Sequence, residues 1–117
     1  MSSYTQYLKA KAIKTGCEWR LKIKITSSAL AAFPVGATFS AQIRDDVDAP
    51  VKTTLSTAAG TITRVDGNTI ELWLKGTETV NWDDGAVVMD VVRTDLTQKI
   101  HLGFDLKIPV YRSITRL

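Results

Sequence analysis

The chain has 117 residues, 44% hydrophobic and 23% charged, and fifteen basic against twelve acidic side chains give it a net charge of +3. That length suits one core and not two, the composition excludes a disordered or collagen-like chain, and so mild a charge leaves an anionic partner optional. Cys17, the single cysteine, excludes an intramolecular disulfide and a thiolate metal cluster. No run nears the roughly 20 apolar residues of a bilayer span, and the N-terminus lacks an apolar signal core, so the expectation is a soluble product without a membrane span, made in the cytoplasm.

From the N-terminus, residues 8–13 alternate Leu8, Ala10 and Ala12 against Lys9 and Lys11, and residues 19–25 set Trp19, Leu21, Ile23 and Ile25 against Arg20, Lys22 and Lys24. Period-two alternation predicts half-buried strands. If the two pair, Lys9, Lys11, Arg20, Lys22 and Lys24 form one basic face. Residues 27–32 run into Phe33-Pro34, which forbids the continuation of a helical turn, and read as a connection. Residues 38–44 predict a strand with Phe39, Ala41 and Ile43 inward, residues 45–50 a polar turn, and residues 51–56 a shorter strand with Val51, Thr53 and Leu55 on one face.

The strongest local signal lies in residues 60–74, GTITRVDGNTIELWL, where apolar residues recur at every second position on either side of Asp66-Gly67-Asn68. A two-residue Asp-Gly turn would set Ile62 opposite Glu71 and so an apolar face against a polar one. A three-residue loop sets Ile62 opposite Leu72 and Thr63 opposite Glu71, sending Ile70, Leu72 and Leu74 into a core and leaving Glu71 and Trp73 on the other face. The second register is the expected one.

Residues 75–84 break the alternation. Thr77, Glu78, Val80 and Trp82 suit one short helical turn capped by the threonine hydroxyl. Residues 86–93 are apolar on both faces, with Val87, Met89 and Val91 on one and Val88 and Val92 flanking Asp90 on the other, which predicts a central strand or one that joins an intersubunit contact. The last strand, residues 99–110, alternates Ile100, Leu102, Phe104, Leu106 and Ile108. Gly103 there marks a bulge or a close backbone approach, and Pro109 a point needing no ladder donor. Some eight strands with a turn signal about every ten residues indicate an all-β single domain over 1–117, a β-sandwich with a closed barrel as the alternative.

Few constellations point to catalysis. A cysteine nucleophile needs a histidine base, and the chain holds one of each, Cys17 and His101; the alternative is an unpaired thiol and a solvated imidazole. Acidic groups recur at Asp45-Asp46 with Asp48 and at Asp83-Asp84, spacing that fits calcium or a glycosidase pair and equally fits aspartates capping their own turns. The basic face could meet phosphates, yet no aromatic interleaves it for base stacking, which argues against nucleic acid. Of three tryptophans, Trp19 is on a core face and Trp82 anchors the turn, so a sugar platform has Trp73 alone; an outward Trp73 is better explained as a contact with another subunit.

The stretch 33–51, FPVGATFSAQIRDDVDAPV, followed in order by Gly60-Thr61-Ile62, the strand 69–74, the turn 77–82, Gly85, Val88-Met89-Asp90-Val91 and a final Ile114-Thr115-Arg116, resembles a recurring phage and prophage pattern. Its members are small Ig-like β-sandwich proteins associated with tails and baseplates, similar to the N-terminal domain of the phage baseplate upper protein. The resemblance covers residues 33–116; residues 1–32, with their Lys-rich strand pair, depart from it. It implies an Ig-like antiparallel sandwich and a non-enzymatic virion protein, an adaptor or attachment component made in the host bacterium, without catalytic residues or cofactors. Partners would be other virion proteins and copies of the chain itself, met through Trp73, Val88 and Val92, with the lysine face meeting an acidic surface. A capsid decoration protein and a carbohydrate-binding module for host recognition are the alternative readings.

Overall fold

A computed structural model describes residues 4–26 and 29–115. Ser27 and Ser28 of the expected connection, and Arg116 of the phage-like ending, lie outside the described residues. The strands are β1 (Tyr4–Tyr7), β2 (Ile13–Lys14), β3 (Trp19–Lys24), β4 (Phe39–Arg44), β5 (Val51–Ser56), β6 (Ile62–Asp66), β7 (Thr69–Leu74), β8 (Gly85–Arg93) and β9 (Ile100–Tyr111). One sheet runs β1-β9-β8-β4-β5, with β2 also on β9, and the other runs β3-β7-β6. With the N-terminal strand set beside the last one, this is the strand order of an Ig-like sandwich. The pairings are antiparallel apart from those of β1 and β2, which run parallel to β9 and so depart from a wholly antiparallel arrangement.

Alternation decides which side chains meet between the sheets. Ile70, Leu72 and Leu74 on β7 are fully buried, and they face Ala41 and Ile43 of β4, Val87, Met89 and Val91 of β8, and Leu106 and Ile108 of β9 across one core. The hairpin pairs Ile62 with Leu72 and Thr63 with Glu71, as its apolar pattern requires. Its closure differs from a three-residue loop. Asp66 pairs with Thr69, so Val65 bulges and Gly67-Asn68 alone makes the turn. Arg64 explains the difference: its guanidinium donates to the carbonyls of Asp66, Gly67 and Pro34 at 2.7–3.1 Å and holds the bulged tip.

The N-terminal segment corrects the sequence reading. Residues 9–11 form a 3-10 turn between two short strands, and neither strand pairs with β3. The reason lies in two buried neighbours. Ile13 is fully buried beside Val110 on β9, and the buried Trp19 donates its indole N–H to the Lys11 carbonyl at 2.8 Å, an acceptor that only a turned backbone presents there.

A second 3-10 turn, Gly76–Glu78, occupies the expected helical position, two residues earlier than a Thr77 cap would place it and with no side-chain cap. Thr79 acts instead of Thr77. Its fully buried hydroxyl accepts the Gly16 N–H at 2.8 Å and donates to the Gly76 carbonyl at 3.2 Å, tying this connection to the turn after β2. The same end of the sandwich is closed by Ser113, which donates to the Thr15 carbonyl at 2.6 Å.

At the opposite end Arg93 donates to both carboxylate oxygens of Asp95, at 2.7 and 3.1 Å, and to the Ala32 carbonyl. That guanidinium holds the Asp95 carboxyl down to about 2, below the ordinary 3.8, with further help from the Thr38 N–H. A carboxyl depressed on folding stabilises the fold fully above its unfolded value and loses that contribution as pH falls from about 4 towards 2. Melting curves across that window are expected to show a drop for the wild type that is smaller for Asp95→Asn, which begins from a lower melting temperature at pH 7. An unchanged pH 7 melt with the same acid slope would contradict this role.

Candidate functional site

The outer face of β8 and β9 carries the densest chemistry, and a bulge creates it. Asp90 pairs with Asp105 and Val92 with His101, so one residue of β8, Val91, spans three of β9, 102–104. Gly103 at their centre has φ +108°, a conformation open to glycine. The insertion leaves His101, Asp105 and Asp90 on one face and draws the imidazole over the carboxylates. Nε2 lies 3.3 Å from Asp90 Oδ2 and 3.2 Å from Asp105 Oδ1, while Nδ1 accepts the Gly103 N–H at 2.9 Å.

That last contact decides the chemistry. An acceptor at Nδ1 puts the proton of a neutral imidazole on Nε2, facing the two carboxylates. His101 therefore has no free lone pair for a general base. The three donor groups have the spacing of a cation site, but a metal on Nε2 would displace its proton onto Nδ1, against the Gly103 N–H, whereas ligand histidines donate from their second nitrogen. The residues do not fit a metal in this arrangement.

Beside the cluster runs an open groove of about 560 Å³ whose lining includes Arg44, Val47, Asp48, Val88, Asp90 and Asp105. Arg44 is held there by the Ala49 carbonyl at 2.6 Å and by Gln42 Oε1 at 2.8 Å. The expected assembly residues Val88 and Val92 are half-buried on this same outer face.

Trp73 occupies the antipodal face, on β7 of the smaller sheet, opposite Arg20 of β3. The Arg20 guanidinium lies 4.6 Å and the Lys75 ammonium 5.0 Å from the indole centroid. Arg20 also bridges Glu71 at 3.0 Å and Glu18 at 3.1 Å, lowering the pKa of the Glu18 carboxyl. Lys22 and Lys24 continue this face along β3, whereas Lys9 and Lys11 sit on the turn beside β9, so the five basic residues form two groups. Trp19 and Trp82 are buried and Trp73 is half-buried, so no second indole joins it on this face.

Cys17 and His101 are not brought together. Cys17 Sγ is 3.8 Å from Ser113 Oγ, beyond the last residue of β9, and His101 is near the first; at 3.3 Å per residue the strand separates them by roughly 30 Å. The loop acids do converge, since Asp45, Asp83 and Asp84 line a hollow of about 290 Å³ with Trp82 and Lys52. Two of the three have a structural partner at hand: Lys52 pairs with Asp45 at 3.3 Å, and Asp84 accepts the Arg112 N–H at 2.6 Å.

Sequence reasoning missed the Asp90–His101–Asp105 cluster. Parity put Asp90 outward, and the i,i+4 spacing puts His101 and Asp105 on one strand face, but the pairing of β8 with β9 was needed to join them. Among the described residues no helix is long and apolar enough to cross a membrane. No family model and no curated protein matches the chain.

Proposed function

We propose that the chain is a non-enzymatic structural component of a tailed phage or prophage virion, an adaptor or attachment piece of the tail or baseplate that acts by assembly. The observation that carries the reading is the placement of its outward contact residues: Trp73 on the outer face of one sheet, Val88 and Val92 on the outer face of the other. A small rigid sandwich with contact residues on both broad faces is suited to sitting between neighbours, and aromatic and aliphatic anchors are what such contacts use. The resemblance of residues 33–116 to tail and baseplate Ig-like proteins supports the same role. Its partners would be other virion proteins and further copies of itself.

The reading is tested by quantitative mass spectrometry of purified particles released from cells that carry the gene. The chain is expected in the particle at a fixed copy number, retained through stringent washing, and in isolated tails rather than in separated heads. Recovery with heads alone would replace the tail role with capsid decoration, and absence from particles that are otherwise complete would overturn the virion role.

A further inference from the structure

The two broad faces differ in charge as well as in position. On the small sheet, Arg20, Lys22, Lys24 and Lys75 outnumber Glu18 and Glu71; Arg20 is already shared between those two acids and Lys75 lies over the Trp73 ring, which leaves Lys22 and Lys24 as this face's free cations among the described residues. On the large sheet, the groove sets Asp48, Asp90 and Asp105 around the single guanidinium of Arg44, itself tied to Ala49 and Gln42, with His101 Nε2 3.2–3.3 Å from Asp90 and Asp105. Lys107, opposite Val88 on β9, is outside the groove lining. We infer that the β3 face of one copy docks into the β8–β9 groove of the next, with Lys22 and Lys24 entering among Asp48, Asp90 and Asp105.

The fit is chemical on both sides. Lys22 and Lys24 project from one face of β3 about 6.8 Å apart, far enough for each to take its own carboxylate. Their aliphatic stems would lie along Val47, which is 74% exposed, and Val88. Trp73 serves as a platform that holds Arg20 and Lys75 over its ring at the border of the contact. Because the two surfaces differ and lie on opposite sides of the sandwich, the contact is heterologous: each copy offers one of each, and repetition generates a ring or an open stack. This inference rests on the assembly reading above and names its self-contact.

The experiment is sedimentation of the purified chain over a concentration series, at low and high salt, for the wild type and two charge-reversed variants, K22E/K24E and D48K/D90K. The wild type is expected to exceed the single-chain mass of 12.9 kDa at low salt and to return towards it at high salt. Each variant alone is expected to associate at least tenfold more weakly. Mixed one to one, they are expected to associate again, because one then carries two acidic faces and the other two basic faces; such recovery also shows that both are folded. Variants that self-associate like the wild type, or a folded mixture that stays at single-chain mass while the wild type associates, would overturn the face-to-groove contact and leave the virion role standing. If a variant fails to melt cooperatively, K22Q/K24Q and D48N/D90N take its place, each expected to weaken association and overturning the contact if it does not. A wild type that stays at 12.9 kDa at every concentration and salt overturns the self-contact outright, and particle composition then tests the virion role separately.

Discussion

Leu72→Ala is expected to lower the unfolding free energy by about 2–5 kcal/mol, the range for emptying a buried leucine site that cannot collapse. Leu72 is fully buried at the middle of β7, the central strand of the smaller sheet, where it pairs with Leu21 on one side and Ile62 on the other. Neighbours held by ladders on both flanks cannot move in to fill the space. Against a typical total of about 5–15 kcal/mol the loss is a large share of stability. It corresponds to a melting temperature lower by roughly 10 °C or more in a chain of this size. A urea titration should show an earlier midpoint with an unchanged slope. Leu21→Ala, at a half-buried site on the neighbouring strand, should cost clearly less. Equal losses at the two positions would contradict the burial assigned to β7.

Gly76→Ala is expected to cost about 3 kcal/mol although it adds a single methyl group. A Cβ at this position would stand 2.5 Å from the Gly16 carbonyl oxygen, 2.8 Å from its carbon and 3.1 Å from the Cys17 nitrogen. All three are backbone atoms, so no side-chain rotation relieves the contact, and overpacking of this kind costs about 1–3 kcal/mol. The two segments must part, and parting them strains the Gly16 N–H bond to the Thr79 hydroxyl, whose loss inside the fold adds about 1–3 kcal/mol. Gly67→Ala is the control, since a Cβ there meets nothing within 4 Å. Thermal melts of the two variants should differ by roughly 10 °C. Similar melting temperatures would mean that the turns after β2 and β7 do not touch as described.

The sequence was most legible where one pairing alone could bury an apolar face. In residues 60–74 the choice between registers was a choice between setting Leu72 or Glu71 opposite Ile62, and burial decides it. The bulge at Val65 was not legible, because it depends on Arg64 reaching the Pro34 carbonyl, a contact made across thirty positions of chain. In residues 8–13 the alternation of small residues with lysines was misleading. Alanines bury little, so their period carries less free energy than the burial of Ile13 and the satisfied indole of Trp19, and these set the backbone. Likewise Gly103 announced a bulge, but not that it would fold His101 back over Asp90 and Asp105, since that follows from the partner strand.

The assembly role is tested most directly by electron cryomicroscopy of purified tailed particles from cells that carry the gene. Density for this sandwich is expected at symmetry-related positions of the tail or baseplate, with the outer faces of both sheets covered by neighbouring protein. Complete particles in which every density of this size belongs to other chains, or copies of the sandwich whose two broad faces both lie open to solvent, would contradict it.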